Sequence, residues 1–282
     1  MTQLSVQCLL STATATISDV ICRGDCRHAS AEECASTTHL VFPYRGVYVR
    51  HARSEATVAE ANQLLFFNAG EGYRISHPLS GGDACLSIAL GGDGLQELSP
   101  REHLDSSSRV TFKPARLRID SHAQALAAQL RYGLAGKITE PLEAETATVA
   151  LVRRALGLKT SHVSRGTAVR RKLVDRVKLV LSSDLSRRWS LADIAAEVGG
   201  SPVYLTQVFQ QVEGMPLSRY QLRLRLARSL ELLGSYDDLS RLGADLGFSS
   251  HSHFSAAFRQ AFGRTPGEFQ RSVRHGLPRS RE

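Results

Sequence analysis

The stretches LADIAAEVGGSPVYLTQVFQQVEGMP (191–216) and LSRLGADLGFSSHSHFSAAFRQAFGRTP (239–266) carry one pattern twice. Each reads as a short amphipathic helix, a glycine, a helix with a central Phe, and a second glycine closely followed by Pro. Gly199 corresponds to Gly247, Phe209 to Phe258, Gly214 to Gly263 and Pro216 to Pro266. A duplicated helix-turn-helix is written this way. Two such units in one chain imply a two-headed reader of double-stranded DNA.

In the first copy Ser190 is placed to cap the opening helix, and Asp193 in its first turn complements the exposed amide hydrogens. Leu191, Ile194, Ala195 and Val198 form the expected buried stripe, and Gly199 makes the turn. Ser201 and Pro202 start the second helix, Pro at a first position where no backbone donor is needed. Leu205, Val208 and Phe209 should face inward, leaving Ser201, Tyr204, Gln207 and Gln211 toward a ligand. Glutamine can read an adenine edge bidentately, and Ser or Tyr at a helix start can hold phosphate. In the second copy Asp238 or Ser240 caps, Leu242, Leu246, Phe254 and Phe258 are buried, and Ser249, Ser250, His251, His253 and Arg259 are the contact candidates. Between the copies, residues 217–233 read as one helix, roughly 25 Å long at about 1.5 Å per residue. It would hold the two second helices near the roughly 34 Å spacing of successive major grooves, with Arg219, Arg223 and Arg228 where backbone phosphates or acidic partners could meet them.

Charge agrees with that division. Residues 1–160 carry 16 Lys and Arg against 16 Asp and Glu, while residues 161–282 carry 19 against 11, so the net +8 lies with the duplicated helices. A basic domain gains affinity for phosphate backbones by counterion release. The opening stretch lacks the basic start and continuous apolar run of a secretory signal. No segment reaches the roughly 20 apolar residues needed to span a bilayer, so the expected setting is the cytoplasm, with no membrane partner.

The N-terminal third has a different texture. From about 17 to 113, short runs rich in β-branched and aromatic residues, such as GVYVR and LLFF, are broken at Pro43, 68–70, Pro78 and 81–82. Many short strands at close spacing predict a sandwich or small barrel able to hold a small ligand. From about 121, HAQALAAQLRYGL and EAETATVALVRRALGL have helical periodicity, KTSHVSRGT (159–167) is polar and periodless, and a further helix spans 169–185. The predicted organisation is a sensory β domain over 1–115, a helical linker and dimerisation segment over 116–166, and an all-α DNA-binding domain over 167–282.

Residues 170–272 resemble the DNA-binding domain of the AraC/XylS family of bacterial transcription regulators. The resemblance is carried by Ala195, Gly199, Tyr204-Leu205, Phe209, Tyr220, Arg225-Leu226 and GFSSHSHFSAAFRQAFGRTPGEF (247–269). It implies two helix-turn-helix motifs in adjacent major grooves, with side chains at 201–211 and 249–260 making the contacts. Two departures are small-for-small: Gly243 and Ser229 stand where the family pattern has Ala. An interior glycine should cost about 0.5–1 kcal/mol of helix stability. HLVFPYRGVYVRH and NQLLFFNAGEGYRISHPLSGGDACLSI resemble the cupin-like N-terminal domain of a subgroup of this family. That resemblance implies a barrel that binds a small-molecule effector or forms a homodimer, and that alters engagement of DNA or RNA polymerase.

Cysteines 8, 22, 26, 34 and 85 are odd in number, which argues against a disulfide scaffold in a reducing compartment. Within the set Cys22, Cys26, His39, His77 and Cys85, a mixture of thiolate and imidazole suits zinc first and copper or iron after it, and the four expected ligands are Cys22, His39, His77 and Cys85. Two other readings stand beside it. Cys85 can be a buried small hydrophobe with His77 in a turn, or Cys22 or Cys26 can be a redox-active thiol. A metal-dependent cupin-type enzyme is a competing class, but no paired His with a nearby carboxylate is evident in the barrel text, and Glu71 and Asp83 fall in turn-rich stretches. A DNA-architectural protein without ligand response would leave the neutral N-terminal region without a role.

Overall fold

The computed structural model describes residues 4–24, 27–53, 55–105 and 110–274. Its strands are β1 (Leu4–Ser11), β2 (Ala15–Cys22), β3 (Glu33–Cys34), β4 (His39–Gly46), β5 (Tyr48–Ala52), β6 (Glu55–Ala59), β7 (Gln63–Phe67), β8 (Gly72–Ser76), β9 (Asp83–Leu90) and β10 (Arg116–Arg118). They form a six-stranded sheet ordered β1-β2-β9-β4-β7-β10 and a four-stranded sheet ordered β3-β8-β5-β6, with antiparallel pairing throughout. The β-rich N-terminal region and helical C-terminal region are as expected. The barrel is open, being two facing sheets rather than one closed on itself.

The middle strands of the large sheet are buried on both faces. Leu40, Phe42, Leu64, Phe66, Leu86 and Ile88 point to one apolar cluster, while Val41, Leu65, Phe67 and Cys85 point to another shared with Tyr48 and Ala59 of the small sheet. Successive side chains on a strand face opposite ways, so a strand covered on both sides needs apolar residues at every position. LLFF (64–67) is therefore continuous and wholly buried, and Gln63 ahead of it is buried with its amide bonded to Tyr220. Pro43, expected as a break between strands, lies inside β4. It opposes Cys85 at a register shift, and β7 pairs only with residues 39–41, so the missing N–H falls where no second neighbour needs it.

β1, the helix α1 (Gly92–Leu98) and β10 lie outside the sequence expectation. β1 is an edge strand with mostly exposed side chains, which leaves no alternating signal. α1 begins GDG, against helix propensity. The large sheet also runs through Arg118, three residues beyond the expected boundary at 115.

The helices α2 (Ser121–Ala135) and α3 (Pro141–Leu156) occupy the expected linker. α2 is a wedge rather than a spacer. Ala123, Leu130 and Leu134 pack into the cluster beneath the large sheet, and Ala125, Ala128 and Tyr132 pack into the C-terminal core. A helix apolar nearly all round must be covered on more than one side. The polar segment 159–167 is also fastened: Arg118 and His162 exchange backbone hydrogen bonds, and Arg165 N donates to Val212 O.

The C-terminal helices are α4 (Ala168–Ser183), α5 (Leu191–Val198), α6 (Pro202–Glu213), α7 (Leu217–Leu232), α8 (Leu239–Asp245), α9 (His251–Phe262) and α10 (Pro266–Arg274). α5–α6 and α8–α9 are the two helix-turn-helix units. Gly199 and Gly247 make the turns at φ 73° and 77°, and Gly214 and Gly263 end α6 and α9 in the left-handed region, where a side chain is penalised. Among the described residues no helix is long and apolar enough to cross a membrane.

Candidate nucleic-acid interface

Both second helices begin with a capped, solvent-facing turn. Ser201 Oγ accepts from Tyr204 N at 3.2 Å, and Ser250 Oγ accepts from His253 N at 3.1 Å. Ahead of them Ser190 and Asp193 form a reciprocal capping box on α5, and Asp238, not Ser240, caps α8 through Ser240 N and Arg241 N. These caps fix where each helix starts, which fixes the direction of its outward side chains.

Most apolar residues are sorted away from that surface, with Val203 of α6, 68% exposed, standing apart. Leu205, Val208 and Phe209 are buried with Ile194 and Val198 in one core, and Phe254 and Phe258 are buried with Leu242 and Leu246 in the other. Leu191 departs from its expected stripe, being 41% exposed. What remains exposed is the polar set: Ser201, Tyr204, Gln207 and Gln211 on the first unit, Ser249, Ser250, His251, His253 and Arg259 on the second. Gln211 accepts from Arg170 at 3.2 Å, Ser249 Oγ lies 3.0 Å from His253 Nδ1, and Ser255 Oγ lies 3.3 Å from His251 Nε2.

Arg223 is the exception among the candidate DNA contacts. It is 7% exposed and donates to the carbonyl of Ile119 in the N-terminal region. Burial, reinforced by Arg118, draws its pKa down to about 10. It therefore faces the β domain, because α7 is covered on that side. Arg228 pairs with Glu231, leaving Arg219 exposed on the joining helix. Arg225 is a clip: Nε donates to Leu185 O at 2.7 Å and Nη1 to Gly247 O at 3.1 Å, tying the loop before the first motif to the turn of the second.

The first motif is attached to the β domain through buried charge. Glu213, at the end of α6, lies 2.8 Å from Lys178 Nζ of α4, with both side chains wholly buried, and Arg116 and Arg118 of β10 stand 4.0 and 3.9 Å away. Arg116 also pairs with Asp175 at 2.6 Å. Burial would raise the Glu213 carboxyl, but Lys178 and Arg116 outweigh it and hold its pKa at about 2. Tyr220 of α7 donates to Glu60 and accepts from Gln63 Nε2 at 2.8 Å.

Between its sheets the β domain holds a cavity of about 860 Å³ that opens to solvent, walled by Tyr48, Phe67, Tyr73 and Ile75 and reaching Cys22 and His77. All four expected metal ligands line it, but the structure does not gather them into one ligand set. Cys22 and His77 come together with Asp83, their donor atoms within 4.8 Å of one another. His39 opposes Ala89, six residues along β9 from Asp83, or about 20 Å at 3.4 Å per residue. It stacks on Phe67 and donates from Nδ1 to Thr37 O instead. Cys85 lines the same cavity two residues along from Asp83, outside the group, and burial raises its pKa well above the ordinary thiol value. Cys26 lies outside the described residues. Asp83 was hidden because the glycines before it read as a turn, whereas it opens β9 directly opposite Cys22.

Residues 171–272 match the helix-turn-helix domain family. Over 104 residues the chain is 33% identical to the HTH-type transcriptional regulator GadX of Escherichia coli O6:H1, covering 36% of this chain and 38% of that protein. Over 106 residues it is 30% identical to the HTH-type transcriptional activator RhaR of Klebsiella pneumoniae, covering 37% and 38%. A solved AraC-type DNA-binding regulator from Chromobacterium violaceum is 31% identical and covers 38% of this chain and 96% of that one, with a TM-score of 0.36. The chain thus spans about two fifths of the length of the curated relatives it matches.

Proposed function

We propose that this chain, whose C-terminal region is an AraC-type helix-turn-helix domain, is a sequence-specific transcription regulator acting in the cytoplasm. Its partner is double-stranded DNA, and its β domain takes up a small effector in the cavity between the sheets. The observation that carries the reading is the sorting on α6 and α9: Leu205, Val208, Phe209, Phe254 and Phe258 are spent on cores, while polar side chains able to read base edges stand exposed on two capped helices in the basic half of the chain. RNA polymerase is the expected downstream contact. A second copy of the chain fits the outer face of α3, where Leu142 is 76% and Val149 37% exposed, seven residues apart on one helical stripe.

The test is binding to matched and scrambled duplexes across a salt series. Gln207→Ala or His251→Ala should cost about 1–3 kcal/mol on the matched site and little on the scrambled one. Arg219→Ala should weaken both alike and lower the salt slope by about one. Identical behaviour of the two kinds of substitution would overturn the assignment.

A further inference from the structure

We propose that Cys22, His77 and Asp83 form a binding site for a divalent transition-metal ion of the zinc(II) class, set in the wall of the β-domain cavity. The strand register builds it. Cys22 of β2 and Asp83 of β9 are directly opposed partners, so their side chains leave the large sheet on one face. His77, the residue after β8, comes from the facing sheet, and its Nε2 donates to Asp83 Oδ1 at 2.6 Å. Donor atoms of all three lie within 4.8 Å of one another, close enough for one ion to reach a thiolate, an imidazole and a carboxylate together.

Burial and backbone packing hold these donors in place. His77 is 3% exposed, yet its Nδ1 is buried with no hydrogen-bond partner. An ion seated between the three donors takes the place of the hydrogen bond between Nε2 and Asp83, with the ring proton carried on Nδ1. The backbone beneath is also locked. A Cβ on Gly82 would sit 2.0 Å from the carbonyl oxygen of Cys22, and one on Gly46 would sit 2.0 Å from that of Gly82, so only glycine lets the three segments meet and set the donors' spacing. Three protein donors beside a cavity leave a fourth position for water or for a group on a bound effector. On binding, the Cys22 thiol releases its proton to solvent, and thiolate and carboxylate together balance the dication.

The inference concerns the N-terminal domain alone and holds or fails independently of the DNA-binding reading. The probe is cobalt(II), titrated into the chelator-treated full chain and followed by absorption. The expected result is one cobalt per chain with a near-ultraviolet sulfur-to-cobalt charge-transfer band, displaced by zinc. Cys22→Ser should abolish the band, and His77→Gln and Asp83→Asn should each weaken cobalt binding by more than about tenfold. Cys8→Ser and Cys34→Ser, at exposed thiols, should leave it unchanged. Near-ultraviolet circular dichroism of each variant confirms the fold, and Cys22→Ser is close enough in shape to keep it. No thiolate band in the unmodified chain, a band that survives Cys22→Ser, or one lost with Cys8 or Cys34 would overturn the site.

Discussion

The two helix-turn-helix units share one architecture but are held against the rest of the molecule by different physics. α5–α6 is fastened through Glu213, whose carboxylate meets Lys178, Arg116 and Arg118 in a buried cluster. α8–α9 is fastened by packing: Ala125, Ala128 and Tyr132 of α2 share a core with Leu230, Phe254 and Phe258, and Tyr132 Oη donates to the carbonyls of Leu230 and Glu231 at 3.1 and 2.5 Å. Apolar packing stabilises in proportion to area and tolerates small shifts. A buried ionic cluster is favourable only while every partner is in place, and losing one leaves charge uncompensated. Both arginines of the cluster sit on β10, an edge strand of the sheet that walls the cavity, so the first unit is the one whose attachment a change in the β domain would disturb.

The largest expected effect follows from that contrast. Glu213→Ala should destabilise the chain by about 3–5 kcal/mol, because it removes the nearest partner of the buried Lys178 and leaves it only Asp175 at 3.7 Å, whereas Glu213→Ala/Lys178→Met should recover much of the loss. Chemical denaturation measures both. The sign with pH is fixed by the depressed carboxyl: its stabilisation is fully present above the ordinary value of 4.5 and is lost as pH falls toward about 2. The amount is on the order of 3 kcal/mol. Glu213→Gln should flatten the stability profile across that interval, and an unchanged profile would show that the acid loss originates elsewhere.

At the second unit the matching perturbation is steric. Ala128→Leu places three extra carbons where α2 meets α7 and α9, and overpacking of this kind costs about 1–3 kcal/mol. The loss should not follow the acid profile of Glu213, since the side chains that meet Ala128 in this core are apolar. A pH-dependent loss here would erase the distinction between the two attachments.

The sequence was legible where structure is local. Repeated glycines, caps and Phe positions specify each motif within about 25 residues, and Ser190, Ser201 and Asp238 act where their types suggest. The attachments were illegible because their partners are remote in sequence. RLR (116–118) looks like any short basic run until β10 pairs with β7 and brings two arginines to a glutamate 95 residues or more away. The same limit misdirected Arg223, polar in type but covered by the β domain, and placed His39 with Cys22 when only register could separate them. Asp83 needed the opposite correction, since two glycines masked the first residue of a strand.

The smallest effect concerns the crossing inside each motif. Four residues before the turn glycine stands Ala195 in the first copy and Gly243 in the second, and the facing residues of the second helices are Leu205 and Phe254. A Cβ on Gly243 would lie 3.2 Å from Phe254 Cβ and 3.3 Å from its ring, and Phe254 is itself held by Phe248 and Phe258. Glycine here is thus the counterpart of a larger neighbour, its helix cost of about 0.5–1 kcal/mol offset by the aromatic contact it admits. Gly243→Ala should gain helix propensity yet lose slightly more in packing, for a net destabilisation below about 1 kcal/mol. In a Phe254→Leu background, which recreates the pairing of the first copy, the same substitution should become stabilising. A double-mutant cycle by thermal unfolding reads that change of sign; alanine stabilising in both backgrounds would mean that the two crossings are already equivalent and that Gly243 answers to nothing in Phe254.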